Sequence, residues 1–238
     1  MGLHHSPRIV TDGLVLCLDA ADKNSYPGSG NTWTDLSGQG NNGILTNGPT
    51  FNSSNLGIIV FDGSNDEIKT NNFSLDFGTN SFTLSAWIFT TDNAQRGKII
   101  NKGQSSSFPN GSNGYSIRFF DQCRFAVGDG TTSTSVNVDN ANEVPNNKWN
   151  MITGVCNREN STQYLYINGK VNKSGSISYG SVTNSDAELT IGSLNRGVYG
   201  GNSEFFDGKI SNTKIYNRAL TATEVLQNYN ATKTRFGL

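Results

Sequence analysis

The chain has 238 residues, with 18 basic and 19 acidic side chains and a net charge of −1. That balance, without a basic stripe, argues against a nucleic-acid binder; 10% aromatic residues supply enough apolar surface to escape disorder, and no apolar run approaches the ~20 residues of a membrane span. Charged residues are only 16%, while 27 Gly and 32 Asn give a turn-rich composition.

Residues 1–12 read as an N-terminal arm too short to fold alone. The arm lacks the apolar region of a secretory signal. It is expected to dock on a neighbouring protein through Leu3, Pro7, Ile9 and Val10, with Arg8 as an ion-pair donor. Residues 13–238 then read as one domain. Short apolar runs predict strands at Leu14–Ala20, Gly57–Phe61, Phe82–Thr90, Lys98–Asn101, Tyr115–Phe120 and Cys123–Val127. Further strands are predicted at Trp149–Cys156, Gln163–Ile167, Lys170–Val171, Glu188–Gly192 and Lys209–Tyr216. No helical period separates them, which indicates an antiparallel sandwich or barrel. In Phe82-Thr-Leu-Ser-Ala-Trp-Ile-Phe89 the residues Phe82, Leu84, Ala86 and Ile88 share one face, taken as the core. Trp87 and Phe89 fall on the other face and need either a cover or a use. Asn168-Gly169 supplies the positive φ angles of a two-residue hairpin turn. Near the C-terminus, Thr221-Ala-Thr-Glu224 is a capping box, with Leu220 and Val225 at the staple positions. It opens a helix expected over 222–233, with Val225, Leu226 and Tyr229 inward and Gln227, Asn228 and Asn230 outward.

Few residues carry chemistry. Cys17, Cys123 and Cys156 sit in apolar runs and read as buried free thiols. The only histidines, His4 and His5, lie in the arm, so a Ser-His-Asp or Cys-His site is not expected in the folded body. Gly38-Gln-Gly-Asn-Asn-Gly43 matches a nucleotide-loop pattern, but no helical segment follows, and its glycines are read as turn residues. The start Met1-Gly-Leu-His-His-Ser6 matches an acylation pattern too short to carry weight. Six Asn-x-Ser/Thr triplets follow from the composition. With six glutamates and no E-x-D-x-x-E run, a glycosidase pair is not apparent, and no catalytic residue is assigned. Two oxygen-rich loops make Asp35, Asn42, Asp62 and Asp66 calcium candidates. Tyr26, Trp33 and Tyr199 are candidates for stacking on sugar rings.

Three segments carry a recognisable pattern: Gly57-Ile-Ile-Val-Phe-Asp-Gly-Ser-Asn-Asp66 with Ser81–Ile88, the Tyr164–Lys170 hairpin, and Ile215-Tyr-Asn-Arg-Ala-Leu-Thr-Ala-Thr-Glu224. In this order they resemble the LamG-like domains of the concanavalin A-like lectin/glucanase superfamily. The resemblance implies an all-β, two-sheet antiparallel jelly-roll sandwich with one short C-terminal helix. The ends, Pro7–Leu16, Asp35–Gly43 and Gln227–Ala231 with Arg235-Phe236, resemble LamG-like proteins of tailed bacteriophages. That likeness implies a non-enzymatic virion structural protein, as an exterior capsid decoration, head fibre or tail-associated domain. Its partners would be other virion proteins and further copies of itself, with neither nucleic acid nor membrane. No cofactor is expected beyond an optional calcium ion. The alternative is a carbohydrate-binding module or adhesin for surface glycans. The segment Gly208-Lys-Ile-Ser-Asn-Thr-Lys214 lacks the acidic residue often found there in cellular LamG-like domains, which weakens transfer of a metal site.

Overall fold

The structure is a computed structural model and describes residues 7–70, 75–103, 113–138, 143–183, 187–194 and 204–238. Sixteen strands run through them: β1 (Leu14–Asp19), β2 (Thr32–Trp33), β3 (Gly43–Thr46), β4 (Thr50–Asn52), β5 (Ile58–Asp62), β6 (Glu67–Lys69), β7 (Phe82–Phe89) and β8 (Lys98–Gly103). There follow β9 (Asn113–Phe119), β10 (Cys123–Asp129), β11 (Ser133–Val138), β12 (Trp149–Asn157), β13 (Thr162–Ile167), β14 (Lys170–Ser176), β15 (Thr190–Ile191) and β16 (Asp207–Tyr216). One sheet has the order β14-β13-β12-β7-β16-β5-β4, with β1 also paired to β16; the other has β11-β10-β9-β8-β15-β6-β3-β2. All the pairings are antiparallel, and the two sheets stack as a jelly-roll sandwich. Among the described residues no helix is long and apolar enough to cross a membrane.

Period-two alternation explains the core. Phe82, Leu84, Ala86 and Ile88 of β7 face inward, where they meet Ile117, Phe119 and Phe125 of the facing sheet. Phe82 stacks on Phe77 at 4.5 Å and meets Tyr115 and Phe125 at 5.2 and 6.1 Å. The expected strands all have counterparts. The strands β2, β3, β4, β6 and β11 are not among the predicted ones, because they are very short or, as in Ser133-Thr-Ser-Val-Asn-Val138, too polar to stand out. The β13–β14 hairpin turns at Asn168 and Gly169, whose φ angles are 52° and 81°. Cys17, Cys123 and Cys156 are buried free thiols, and burial pushes all three pKa values up.

Helix α1 (Ala222–Thr232) begins at the predicted capping box and ends in a single 3-10 turn over Lys233–Phe236. Arg218 forks onto the Glu224 carboxylate at 3.0 and 2.6 Å; this and the Thr221 backbone lower the Glu224 pKa to about 2. The inward stripe differs from the expected one. It is Val225, Asn228, Tyr229 and Thr232, spaced i, i+3, i+4, i+7, and Leu226 lies off it, exposed. Two polar residues occupy the stripe because the surface they cover is itself polar. The Asn228 side chain accepts from the Val10 amide at 2.8 Å and donates to the Tyr216 hydroxyl at 3.0 Å. The Thr232 hydroxyl accepts from the Trp87 indole at 2.8 Å. The outward aromatics of β7 are therefore covered. Trp87 lies against Tyr229 and Phe236, with ring centroids at 5.6 and 4.3 Å. Phe89 packs beside Trp149 at 5.7 Å.

Candidate functional site

The loop candidates turn out to be structural. Asp35 is a staple. Its Oδ1 accepts from the amides of Cys17 and Ser37 at 2.8 and 2.9 Å, and its Oδ2 from the Ser37 hydroxyl and the Asn41 amide at 2.7 and 3.0 Å. The Asn42 side-chain oxygen accepts from the Asp35 amide at 2.9 Å. The Asp62 amide donates to Asp66 at 3.0 Å, and Asp62 accepts from the Ser64 amide at 2.8 Å. Burial raises the Asp66 pKa. No group of three or more His, Cys, Asp or Glu side chains suited to a metal ion occurs among the described residues. In this structure the oxygens of these loops serve turn and backbone hydrogen bonds. Replacing Asp35 by alanine orphans several donors and is expected to cost at least about 2 kcal/mol, with or without added calcium. Urea titration in calcium and in EDTA checks both halves of that statement.

The aromatic candidates are structural too. Trp33 is 0% exposed and Tyr26 4%, with Tyr26 packed on Phe51 at 5.4 Å and donating to the Gly30 carbonyl at 2.5 Å. Neither offers a face to a sugar. Tyr199 lies outside the described residues, as does Leu3 of the arm.

The described part of the arm engages its own domain, where a neighbour was expected. Val10 is buried in the cluster beneath α1. Its carbonyl accepts from the Tyr216 hydroxyl at 3.0 Å, and the Arg8 carbonyl accepts from Gln227 at 2.8 Å. Arg218 pairs with Asp12 at 2.8 Å. Ile9 is half-buried, and Pro7 and Arg8 are exposed.

A different place has the character of a binding site. A groove of about 550 Å³ runs between the tip of the β13–β14 hairpin and α1. Its apolar lining includes Val171, 55% exposed, and Leu226, 42% exposed, beside the Tyr229 ring. These are two of the few large aliphatic side chains on the described surface that remain exposed, and they line one groove. Amides and charges rim it: Asn168, Asn172, Asn230, Lys170, Lys233 and Glu143. The floor is fixed. The Asn168 side chain accepts from the Met151 amide at 2.8 Å and donates to Asn150 at 3.1 Å, tying the turn to β12. Asn172 accepts from the Ile167 amide at 3.3 Å and donates to Glu143. A smaller hollow of about 350 Å³ adjoins at Val171 and adds Tyr164 and Tyr166, whose rings lie 6.2 Å apart. The sequence did not point here, because Leu226 was assigned to the buried stripe.

A groove that sets an apolar strip of Ile167, Val171, Leu226 and Tyr229 beside amide and charged groups can take a ligand with both apolar and polar faces. Glu143 is the single carboxylate lining it, so the paired carboxylates of a glycosidase are not assembled there. The fold is thus a jelly-roll sandwich with a groove on the helix-bearing face. The chain belongs to the concanavalin A-like lectin/glucanase superfamily, whose laminin-G-type family model matches residues 62–226. No curated protein matches it. Similar solved structures include the binding domain of Paraclostridial Mosquitocidal Protein 1, with 21% identity and a TM-score of 0.68 over 93% of this chain and 52% of that one. The ligand binding domain of botulinum neurotoxin serotype D, solved in complex with N-acetylneuraminic acid, has 17% identity and a TM-score of 0.69 over 92% of this chain and 51% of that one. The binding domain of botulinum neurotoxin DC, in complex with SialylT, has 17% identity and a TM-score of 0.66 over 94% and 52%. At these identities the likeness establishes the fold, and the chain spans about half the length of those domains.

Proposed function

We propose that this chain is a non-enzymatic carbohydrate-binding module that recognises surface glycans through the groove beside α1. The observation that carries the reading is the pairing of exposed Val171 and Leu226 with an amide rim in one preformed groove. Sugars present apolar C–H faces and a fringe of hydroxyls. Aliphatic and aromatic surface takes the former, and side-chain amides, ammonium groups and carboxylates take the latter. The similar toxin domains are binding domains, one solved with N-acetylneuraminic acid and one with SialylT, and this supports the same reading. The virion role implied by the resemblance of the chain ends concerns where such a module is displayed, and the two roles can coexist. Of the arm residues, Val10 anchors in its own fold, while Pro7 and Arg8 stay exposed.

A glycan array with the intact chain tests the proposal. Val171→Ser combined with Leu226→Ser removes several exposed CH₂ and CH₃ groups at roughly 0.8 kcal/mol each when covered by ligand, so about a tenfold loss or more is expected. Both positions are exposed, so unfolding midpoints should barely move. Binding unchanged in the double variant, or no glycan bound by the parent chain, contradicts the proposal.

A further inference from the structure

The groove beside α1 does not end at the hairpin tip. Period-two alternation in β13 puts Tyr164 and Tyr166 on one face, the outer face that α1 covers in part. Strand register sets Val155 of β12 opposite Tyr164, and Val171 of β14 opposite Tyr166. These four side chains line the hollow of about 350 Å³, together with Leu220, Thr221 and Ala222 where α1 opens. Val171 is shared with the hollow at the hairpin tip. A third hollow, of about 220 Å³, adjoins at the other end, where Asn157, Leu220 and Thr221 line both. Ser81, Glu159 and Arg218 complete it. The three hollows thus follow β13 from the hairpin tip back to the turn that precedes the strand. A six-residue strand spans ~20 Å, several times the width of one sugar ring.

The chemistry changes along that length. Both ends carry amides and charges of both signs: Lys170, Lys233 and Glu143 at one, Glu159 and Arg218 at the other. Arg218 is already committed, to Glu224 at 3.0 and 2.6 Å and to Asp12 at 2.8 Å, so it is not held ready for an anionic ligand. The middle is apolar apart from Asn157 and Thr221. Its half-buried Tyr164 is fixed by the Asn160 side chain, which donates to the phenolic oxygen at 2.9 Å. A single terminal sugar would cover one hollow and leave the others wet. A chain of sugars covers the apolar middle and meets the polar groups at both ends. We infer that the groove takes a linear run of at least three units of a neutral oligosaccharide, one per hollow, with the central unit stacked on Tyr164. The inference rests on the glycan-binding reading and adds to it the length and the charge class of the ligand.

Titration calorimetry on the intact chain tests it. The probes are the disaccharides and hexasaccharides of the cello-, xylo-, manno-, N-acetylchito- and malto- series, with sialyllactose as the acidic comparison. At least one neutral hexasaccharide is expected to bind about tenfold or more tighter than its own disaccharide, and tighter than sialyllactose. Its affinity should hold as salt rises, since no ligand charge is screened. Tyr164→Ala removes the stacking face, and Ala222→Trp sets a bulky ring over the middle hollow from an exposed position. Each should cancel the advantage of the hexasaccharide and leave disaccharide binding essentially unchanged. The unfolding midpoint of Ala222→Trp should match the parent, so that its loss reads as blockage. Equal binding of the two lengths, an advantage that survives Ala222→Trp, or tighter binding of sialyllactose overturns the inference. In each of those cases the groove reading stands if Val171→Ser/Leu226→Ser still weakens the sugar that binds. Silence of every sugar, on the array as in the calorimeter, overturns both.

Discussion

Replacing Trp87 by alanine is expected to cost about 3–5 kcal/mol, a large share of the ~5–15 kcal/mol that stabilises a domain. Trp87 is fully buried on the outer face of β7, the strand that pairs with both β12 and β16. It is the common contact of Tyr229 in α1 and Phe236 in the following turn, and its N–H is satisfied by Thr232. Truncation leaves a cavity beneath the helix and removes the contact that orients it. The helix is 11 residues long, marginal on its own, so its order depends on that packing. Hydrogen exchange across residues 222–236 should therefore accelerate together with the fall in urea midpoint. Trp87→Phe keeps most of the ring contact but leaves the Thr232 hydroxyl without its donor, and should cost about 1–2 kcal/mol.

Gly154→Val is expected to destabilise by about 1–3 kcal/mol through overpacking. Gly154 lies in β12, between Ile152 and Cys156 on the core face, and a Cβ placed there would overlap the Phe125 ring from the facing sheet. The glycine is required by that close approach and not by a turn. Phe125 itself packs on Phe82, so the ring has little freedom to move aside. Combining Gly154→Ala with Phe125→Leu should recover part of the loss suffered by Gly154→Ala alone. A double-mutant cycle in urea measures the coupling, which additivity would set to zero.

Much of the architecture is legible in local sequence. Alternation in Phe82–Phe89, the Asn168-Gly169 turn and the Thr221–Glu224 capping box each act over a few residues, and each appears where the residues place it. What the sequence concealed depends on long-range partners. Asn228 reads as a surface residue until Val10 and Tyr216 come to meet it, across 218 and 12 positions. Once Asn228 turns inward, Leu226 must turn outward, and that rotation creates the groove. Trp33 and Tyr26 illustrate the converse: aromatic residues in loops look available for stacking, but burying them stabilises the sandwich end. Asp35 and Asp66 carry oxygen in the pattern of a cation loop and spend it on backbone amides.

The most direct test of the groove reading is NMR mapping of a bound oligosaccharide on the intact chain, with methyl and aromatic signals assigned. The account predicts that titration with the best array ligand shifts Val171, Leu226 and Tyr229 together and saturably, leaving Tyr26, Trp33 and the Asp35 loop still. Saturable shifts confined to those loop ends, with Val171 and Leu226 unmoved, would contradict it.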